Sequence, residues 1–250
     1  MSAAGGLLSV AFGDLALGVW GAGLVLDEQT PFLCVGGRGA VASPEGALHA
    51  GEPGEPWRLA GDGLELVVEP VGDPVTVSRP DADVEGFDQL CRVSGSFVLD
   101  GTEQEVSCRG CRGRRVGERE LTQFESLREV AAWFEPGDGL ALAAFRPRKA
   151  KGQDADLVTA SVLDGDGSSA VEDPRLSTTY AADGWPSRAS LELWLGGEEE
   201  DQHLLRRATG EAAGGRVRAA WGEREVRAEL FRWNSRGHDG AGVYLLARSQ

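Results

Sequence analysis

The sequence predicts an all-β protein made of two tandem antiparallel β-barrel or curled-sheet domains, related by internal duplication and packed side by side. Three observations lead there. Glycine supplies 36 of 250 residues, scattered beside Asp, Asn and Ser as in tight turns, and many turns imply many short strands. Apolar and polar side chains alternate at period two in several runs, the signature of strands with one face on a core. Short blocks also recur in the same order in the two halves of the chain, and fixed-order self-similarity is the first thing that decides a fold.

The repeat begins with Phe12-Gly13-Asp14-Leu15-Ala16-Leu17, which resembles Gly137-Asp138-Gly139-Leu140-Ala141-Leu142. Val41-Ala42-Ser43 is echoed by Thr159-Ala160-Ser161, and Glu55-Pro56-Trp57-Arg58-Leu59 by Asp173-Pro174-Arg175-Leu176. Leu64-Glu65-Leu66 matches Leu191-Glu192-Leu193, and Leu90-Cys91-Arg92 matches Leu205-Arg206-Arg207. The spacings run from 115 to 127 residues, so the halves divide as 1–117 and 118–250.

Within each half the alternation is explicit. Leu64, Leu66 and Val68 share a face opposite Glu65 and Glu69, and Leu191, Leu193 and Leu195 do so opposite Glu192 and Trp194. Val226, Ala228 and Leu230 lead through the polar turn Asn234 to Gly240 into Val243–Leu246, a closing hairpin. The stretch Leu121, Phe124, Leu127, Val130, Ala131, Phe134 fits a helical stripe, but its match to the first hairpin favours a strand. Meanders of this size close into barrels or stack, because an open sheet leaves raw edges. A small barrel has room inside for one apolar ligand.

The net charge of −15, from 40 acidic and 25 basic residues, disfavours nucleic acid and anionic membrane surfaces as partners. No basic region precedes the first apolar stretch, and the run Leu15–Leu26 is shorter than the roughly 20 residues of a spanning helix. The four cysteines do not make a disulfide framework, so the expected compartment is a bacterial cytoplasm with reduced thiols.

Most chemical motifs fail on spacing. Cys108-Arg109-Gly110-Cys111 lacks a second ligand pair for zinc and reads as structural thiols near a strand end. Gly21-Ala22-Gly23 lacks the third glycine of a dinucleotide fingerprint and reads as a close approach of strands. Asp164 to Ser168 departs from a calcium loop and reads as a hairpin turn, and the run Glu198 to Asp201 reads as a solvated loop. His49, His203 and His238 have no metal-ligand spacing, and no metal or cofactor is implied. Arg146 to Lys151 forms a basic island able to receive an anionic group.

The second half resembles the two-domain, lipocalin-like (calycin-like) family that includes carotenoid 1,2-hydratase, also called hydroxyneurosporene synthase. The likeness is carried by Trp133-Phe134, the turn to Gly139, Leu140 to Phe145 with Arg146-Pro147, Ala160-Ser161-Val162, Asp173-Pro174 and Leu191 to Leu195. It implies a pocket for a hydrophobic small molecule and addition of water to a double bond, or a cyclisation. Related sequences carry an Arg-Asp-His-Ser-Trp-Gly-type stretch at the junction of the halves. Here that stretch reads Arg112-Gly113-Arg114-Arg115-Val116-Gly117, with neither His nor Trp.

The expected function is therefore binding of an apolar small molecule, with hydratase-, cyclase- or isomerase-type chemistry as its catalytic form and a filled, non-catalytic barrel as the alternative. Protonating an alkene needs a carboxylic acid held neutral by an apolar pocket, with aromatic faces near the developing cation. Asp14 and Asp138, at matched places in the repeat, are the candidate acids, and turn formation is the competing reading for both. Trp20, Trp133, Tyr180 and Trp194 are the candidate ligand-binding aromatics, in a chain with seven Trp and two Tyr.

Overall fold

The computed structural model describes residues 6–27, 29–37, 39–79, 83–117, 124–135, 137–149, 151, 156–163, 171–196 and 204–249. Among them every regular element is a strand. The first half contains β1 (Gly6–Asp14), β2 (Val19–Leu26), β3 (Phe32–Gly37), β4 (Ala40–Ala42), β5 (Gly46–His49), β6 (Trp57–Gly61), β7 (Leu64–Arg79), β8 (Val84–Leu99) and β9 (Thr102–Gly117). The second contains β10 (Phe124–Phe134), β11 (Asp138–Pro147), β12 (Leu157–Leu163), β13 (Val171–Tyr180), β14 (Pro186–Leu195), β15 (Leu204–Trp221), β16 (Arg224–Ser235) and β17 (His238–Ser249). The turn at Asp164–Ser168, the acidic run Glu198–Asp201, His203 and Leu121 lie outside the described residues.

The strands form two antiparallel sheets, ordered β4-β3-β2-β1-β9-β8-β7-β6-β5 and β12-β11-β10-β17-β16-β15-β14-β13. Both follow one plan. The first strand of each half is hydrogen-bonded to the second on one side and to the last on the other, and the meander then runs backwards to an edge. The fold is all-β, with two curled sheets packed together as tandem lipocalin-like domains. The repeated sequence blocks do not superpose on that plan, however. Asp14 ends β1 whereas Asp138 begins β11, the following strand. Gly-Asp recurs because hairpins reuse the same turn chemistry, not because those positions are equivalent.

β10 is a strand, as the repeat favoured, and the reason its pattern also fitted a helix is now plain. Both of its faces are covered, so apolar residues need not alternate with polar ones. Leu127 and Trp133 face the other sheet, while Val130, Ala132 and Phe134 face the interior of their own. The closing hairpin β16–β17 is present in register, Ser235 opposite His238. Its two-residue turn, Arg236-Gly237, has positive φ at both positions, as does Asp100-Gly101 between β8 and β9; this backbone matches the twist of the flanking strands.

Three apolar layers result. Trp57, Leu66 and Phe97 fill the first sheet's interior, and Phe231, Trp233 and Tyr244 that of the second. The third layer lies between the sheets, where β1 and β9 meet β17 and β10. Trp20 sits there in a slot between Gly36 on β3 and Gly215 on β15, where a Cβ on either glycine would overlap the indole. Two further indoles tie the sheets with Nε1–H donors: Trp221 to the Thr30 carbonyl at 2.7 Å and Trp133 to that of Gly13 at 3.1 Å. Among the described residues no helix is long and apolar enough to cross a membrane.

Because Trp20 is fully buried and touches both sheets, Trp20→Ala should cost about 3–5 kcal/mol of stability. Urea unfolding should show a lower midpoint with an unchanged slope.

Candidate active site between the two sheets

Period-two geometry sends odd-numbered residues of β1, β9 and β10 toward the seam between the sheets and even-numbered ones into the barrels. Most seam positions are apolar or small, among them Ala11, Cys111, Ala131, Val243 and Leu245. Charge interrupts this apolar layer at Asp88 on β8, Arg115 on β9 and Glu129 on β10, among other places.

Arg115 and Asp88 form a two-pronged ion pair, Nη1–Oδ1 2.7 Å and Nη2–Oδ2 2.8 Å, with side chains 2% and 3% exposed. The other sheet completes it: the Ser161 hydroxyl donates to Asp88 Oδ2 at 2.6 Å, and Arg115 Nε–H donates to Thr159 Oγ1 at 3.2 Å. Gly113 makes space for the pair, since a Cβ there would lie 2.5 Å from Asp88 Oδ1 and 2.7 Å from Arg115 Nη1. The pair is thereby desolvated, hydrogen-bonded and shared across the seam.

Glu129 is the third charge. It lines, with Ser9, Asp88 and Arg115, a cavity of about 30 Å³ whose other walls are mostly alanine, valine and leucine. Glu129 keeps some accessible surface. Burial pushes its carboxyl up to about 7; Arg115 pulls down, Asp88 pushes up, and a hydrogen bond with Ser9 pulls down. Two carboxylates share one guanidinium here, and one of them is driven to hold a proton. The cavity has room for a water molecule. Chemically, the site offers a neutral acid, a fixed cation and space for water.

The six residues singled out from the sequence are dispersed. Asp14 is a turn residue: its Oδ1 accepts the N–H groups of Ala16 at 2.7 Å and Leu17 at 3.0 Å. Asp138 is paired to Arg206, which is 1% exposed and packs against the Phe134 ring. Trp20 and Trp133 both belong to the layer between the sheets. Tyr180 lies at the other side of the second sheet, 5.3 Å from the Arg248 guanidinium. Trp194 projects from the wall opposite Leu193 and Leu195, away from that core. Only Asp14 and Trp133 come together, on a cleft of about 220 Å³ at one end of the seam.

The remaining motifs resolve simply. Cys108 and Cys111 stand in the middle of β9, not near its end, and three residues apart on a strand they point to opposite faces. All four cysteines are free and buried, and burial pushes the Cys34 and Cys108 thiols up to about 12. Gly21 is a close approach, where the Phe12 ring occupies the place of a side chain.

Sequence reasoning passed over Asp88, Arg115 and Glu129. The signal was present for Glu129: Leu127, Ala131 and Trp133 are apolar at its own parity, so a carboxylate interrupts a buried face. Arg115 lies in the stretch where the resemblance lacks its histidine and tryptophan. That stretch contributes two buried arginines instead. Arg112 points into the first barrel, 4.9 Å from the Trp57 ring, with its Nη1 donating to the Glu55 carbonyl at 2.7 Å.

No protein-family model and no curated protein matches the sequence. Solved structures do match. A candidate AttH from Nitrosomonas europaea aligns with TM-score 0.64 at 11% identity, over 99% of this chain and 93% of the other. CghA in complex with Sch210972 aligns with TM-score 0.66 at 10% identity, over 99% and 89%. Kievitone hydratase from Nectria haematococca aligns with TM-score 0.56 at 9% identity, over 99% and 89%. The chain shares their fold. At these identities the likeness speaks for architecture alone.

Two outcomes test the buried charges. Removing one member of the ion pair by Asp88→Ala should destabilise the protein by about 3–5 kcal/mol, since Arg115 is left buried and uncompensated. Glu129 has a folded-state pKa above its unfolded value, so its contribution is fully present below about pH 4.5 and is lost as pH rises through about 7. Stability of the wild type relative to Glu129→Gln should therefore fall across that window by on the order of 2–3 kcal/mol, read from urea midpoints at pH 4.5 and 8.

Proposed function

We propose that the protein binds a small apolar molecule at the seam between its two sheets and adds water to it, with Glu129 as the general acid. The observation that carries this reading is the Glu129 carboxyl, raised to about 7, facing a water-sized cavity with alanine and leucine walls. A carboxyl tuned to neutrality serves proton transfer in both directions. In the forward step Glu129 gives its proton to one carbon of a double bond. Water then forms a C–O bond to the adjacent cationic carbon, and the proton lost from that water returns to the Glu129 carboxylate. Trp133 lines the neighbouring cleft and is the aromatic side chain nearest to hand if the sheets part there.

A cavity of about 30 Å³ has room for water but not for a substrate, so binding requires local parting of the sheets. The cleft bearing Asp14 and Trp133 is the proposed entrance. Glu129 and Ala131 line the cavity and Trp133 lines the cleft, all on one face of β10. Asp14 shapes the turn at its rim rather than acting as the acid. The hydratase among the structural neighbours supports this reading by fold. A cytoplasmic location fits the four buried, free thiols.

The second reading, a non-catalytic protein with filled barrels, is favoured by the bulk of Trp57 and Trp233 at the two centres. Incubation with a panel of acyclic isoprenoid alkenes in ¹⁸O-water separates the two. The enzyme should give a product one labelled water heavier, and Glu129→Gln should slow its formation by about 10²–10⁴-fold. A panel with no labelled product at any pH from 5 to 8 selects the filled-barrel reading.

A further inference from the structure

A second cavity, of about 930 Å³, is unconnected with the chemistry above. It lies along the seam where β12 and β13, the two edges of the second sheet, face each other without pairing. Its size is that of small-molecule pockets generally.

Its charge is unusual for this chain. Among the described residues, Arg79, Arg128, Arg146, Arg175 and Arg248 line it beside the carboxylates of Asp156, Glu172 and Asp173, a concentration of arginine on a protein of net charge −15. Arg128 and Arg146 both bind Asp156, one on each oxygen, which brings two guanidiniums to one place on the wall. Arg248 is exposed and lies over the Tyr180 ring, 5.3 Å from its centroid. These three guanidiniums come from the adjacent strands β11, β10 and β17. Arginine's planar fork suits carboxylates and related oxyanions.

The wall is not wholly polar. Val158, Pro174, Leu176 and Leu246 contribute apolar surface, and the Tyr180 ring stands among them. Hydroxyls are also at hand, with Thr178 Oγ1 and the Tyr244 hydroxyl 2.9 Å apart. An apolar wall with cationic side chains on it describes the complement of an amphiphile.

We propose that this seam is a second ligand site, which takes an organic carboxylate with an apolar body: the anionic group on Arg128, Arg146 and Arg248, the apolar part against Leu246 and Tyr180. The site is separate from the proposed catalytic one. Arg128 and Glu129 are neighbours in sequence but project from opposite faces of β10, so a strand divides them.

The test uses the full chain and cis-parinaric acid, a fluorescent polyene carboxylate, beside its methyl ester. The acid should bind saturably and lose affinity as salt is raised, and the ester should bind at least about tenfold more weakly. Arg248→Ala removes an exposed side chain and should weaken the acid roughly to the level of the ester, with Arg128→Ala acting in the same direction. Glu129→Gln should leave acid binding within about twofold, which keeps this outcome distinct from loss of hydration. Equal binding of acid and ester, no binding of the acid, or an Arg248→Ala variant that binds like wild type would each overturn the proposal.

Discussion

Charge buried between two apolar sheets is the constraint on which this structure turns. An ionised group removed from water is tolerated only when paired and hydrogen-bonded. Arg115 meets that condition with a partner from its own sheet, Asp88, and with Ser161 and Thr159 from the other. The surrounding layer of alanine, valine and leucine would accept several alignments with similar burial. A slip of one residue pair would leave Asp88 without Ser161 and Arg115 without Thr159. The polar network thus fixes how the two halves meet, while the indoles of Trp20, Trp133 and Trp221 supply most of the directional packing.

The same constraint underlies the proposed chemistry. Burial raises the nearby Glu129 carboxyl and Asp88 adds to that, against the pull of Arg115 and a hydrogen bond with Ser9. The balance leaves it ready to hold or give up a proton near pH 7. A group tuned by burial near pH 7 is what acid–base catalysis asks for and what stability alone does not favour. Its place beside a water-sized cavity joins the two properties at one point.

Strands covered on both faces have a further consequence. Successive residues of β10 serve different compartments: Arg128 the cationic seam, Glu129 the acidic one, Val130 the second barrel core. β9 does likewise with Arg112 in the first barrel and Arg115 between the sheets. One segment of chain can therefore carry charges into separate environments less than a strand's width apart.

The sequence by itself determined the all-β class, the pairing of β16 with β17, the strand character of β10 and the existence of two sheets. All but the β10 strand, which the repeat favoured over a helical stripe, follow from local rules: turn residues demand particular φ values, and period two assigns faces. Gly21 and the cysteines were also legible as structural, because their motifs lacked the partners that chemistry needs. That Asp14 and Asp138 are not equivalent was not legible, since turn chemistry imitates repeat position. Nor was the site. Asp88, Arg115 and Glu129 are separated by 27 and 14 residues along the chain, and only the packing of one sheet on the other removes water from all three at once. Desolvation is a property of the assembled layers, so no pattern along a single strand could reveal which carboxyl would keep its proton.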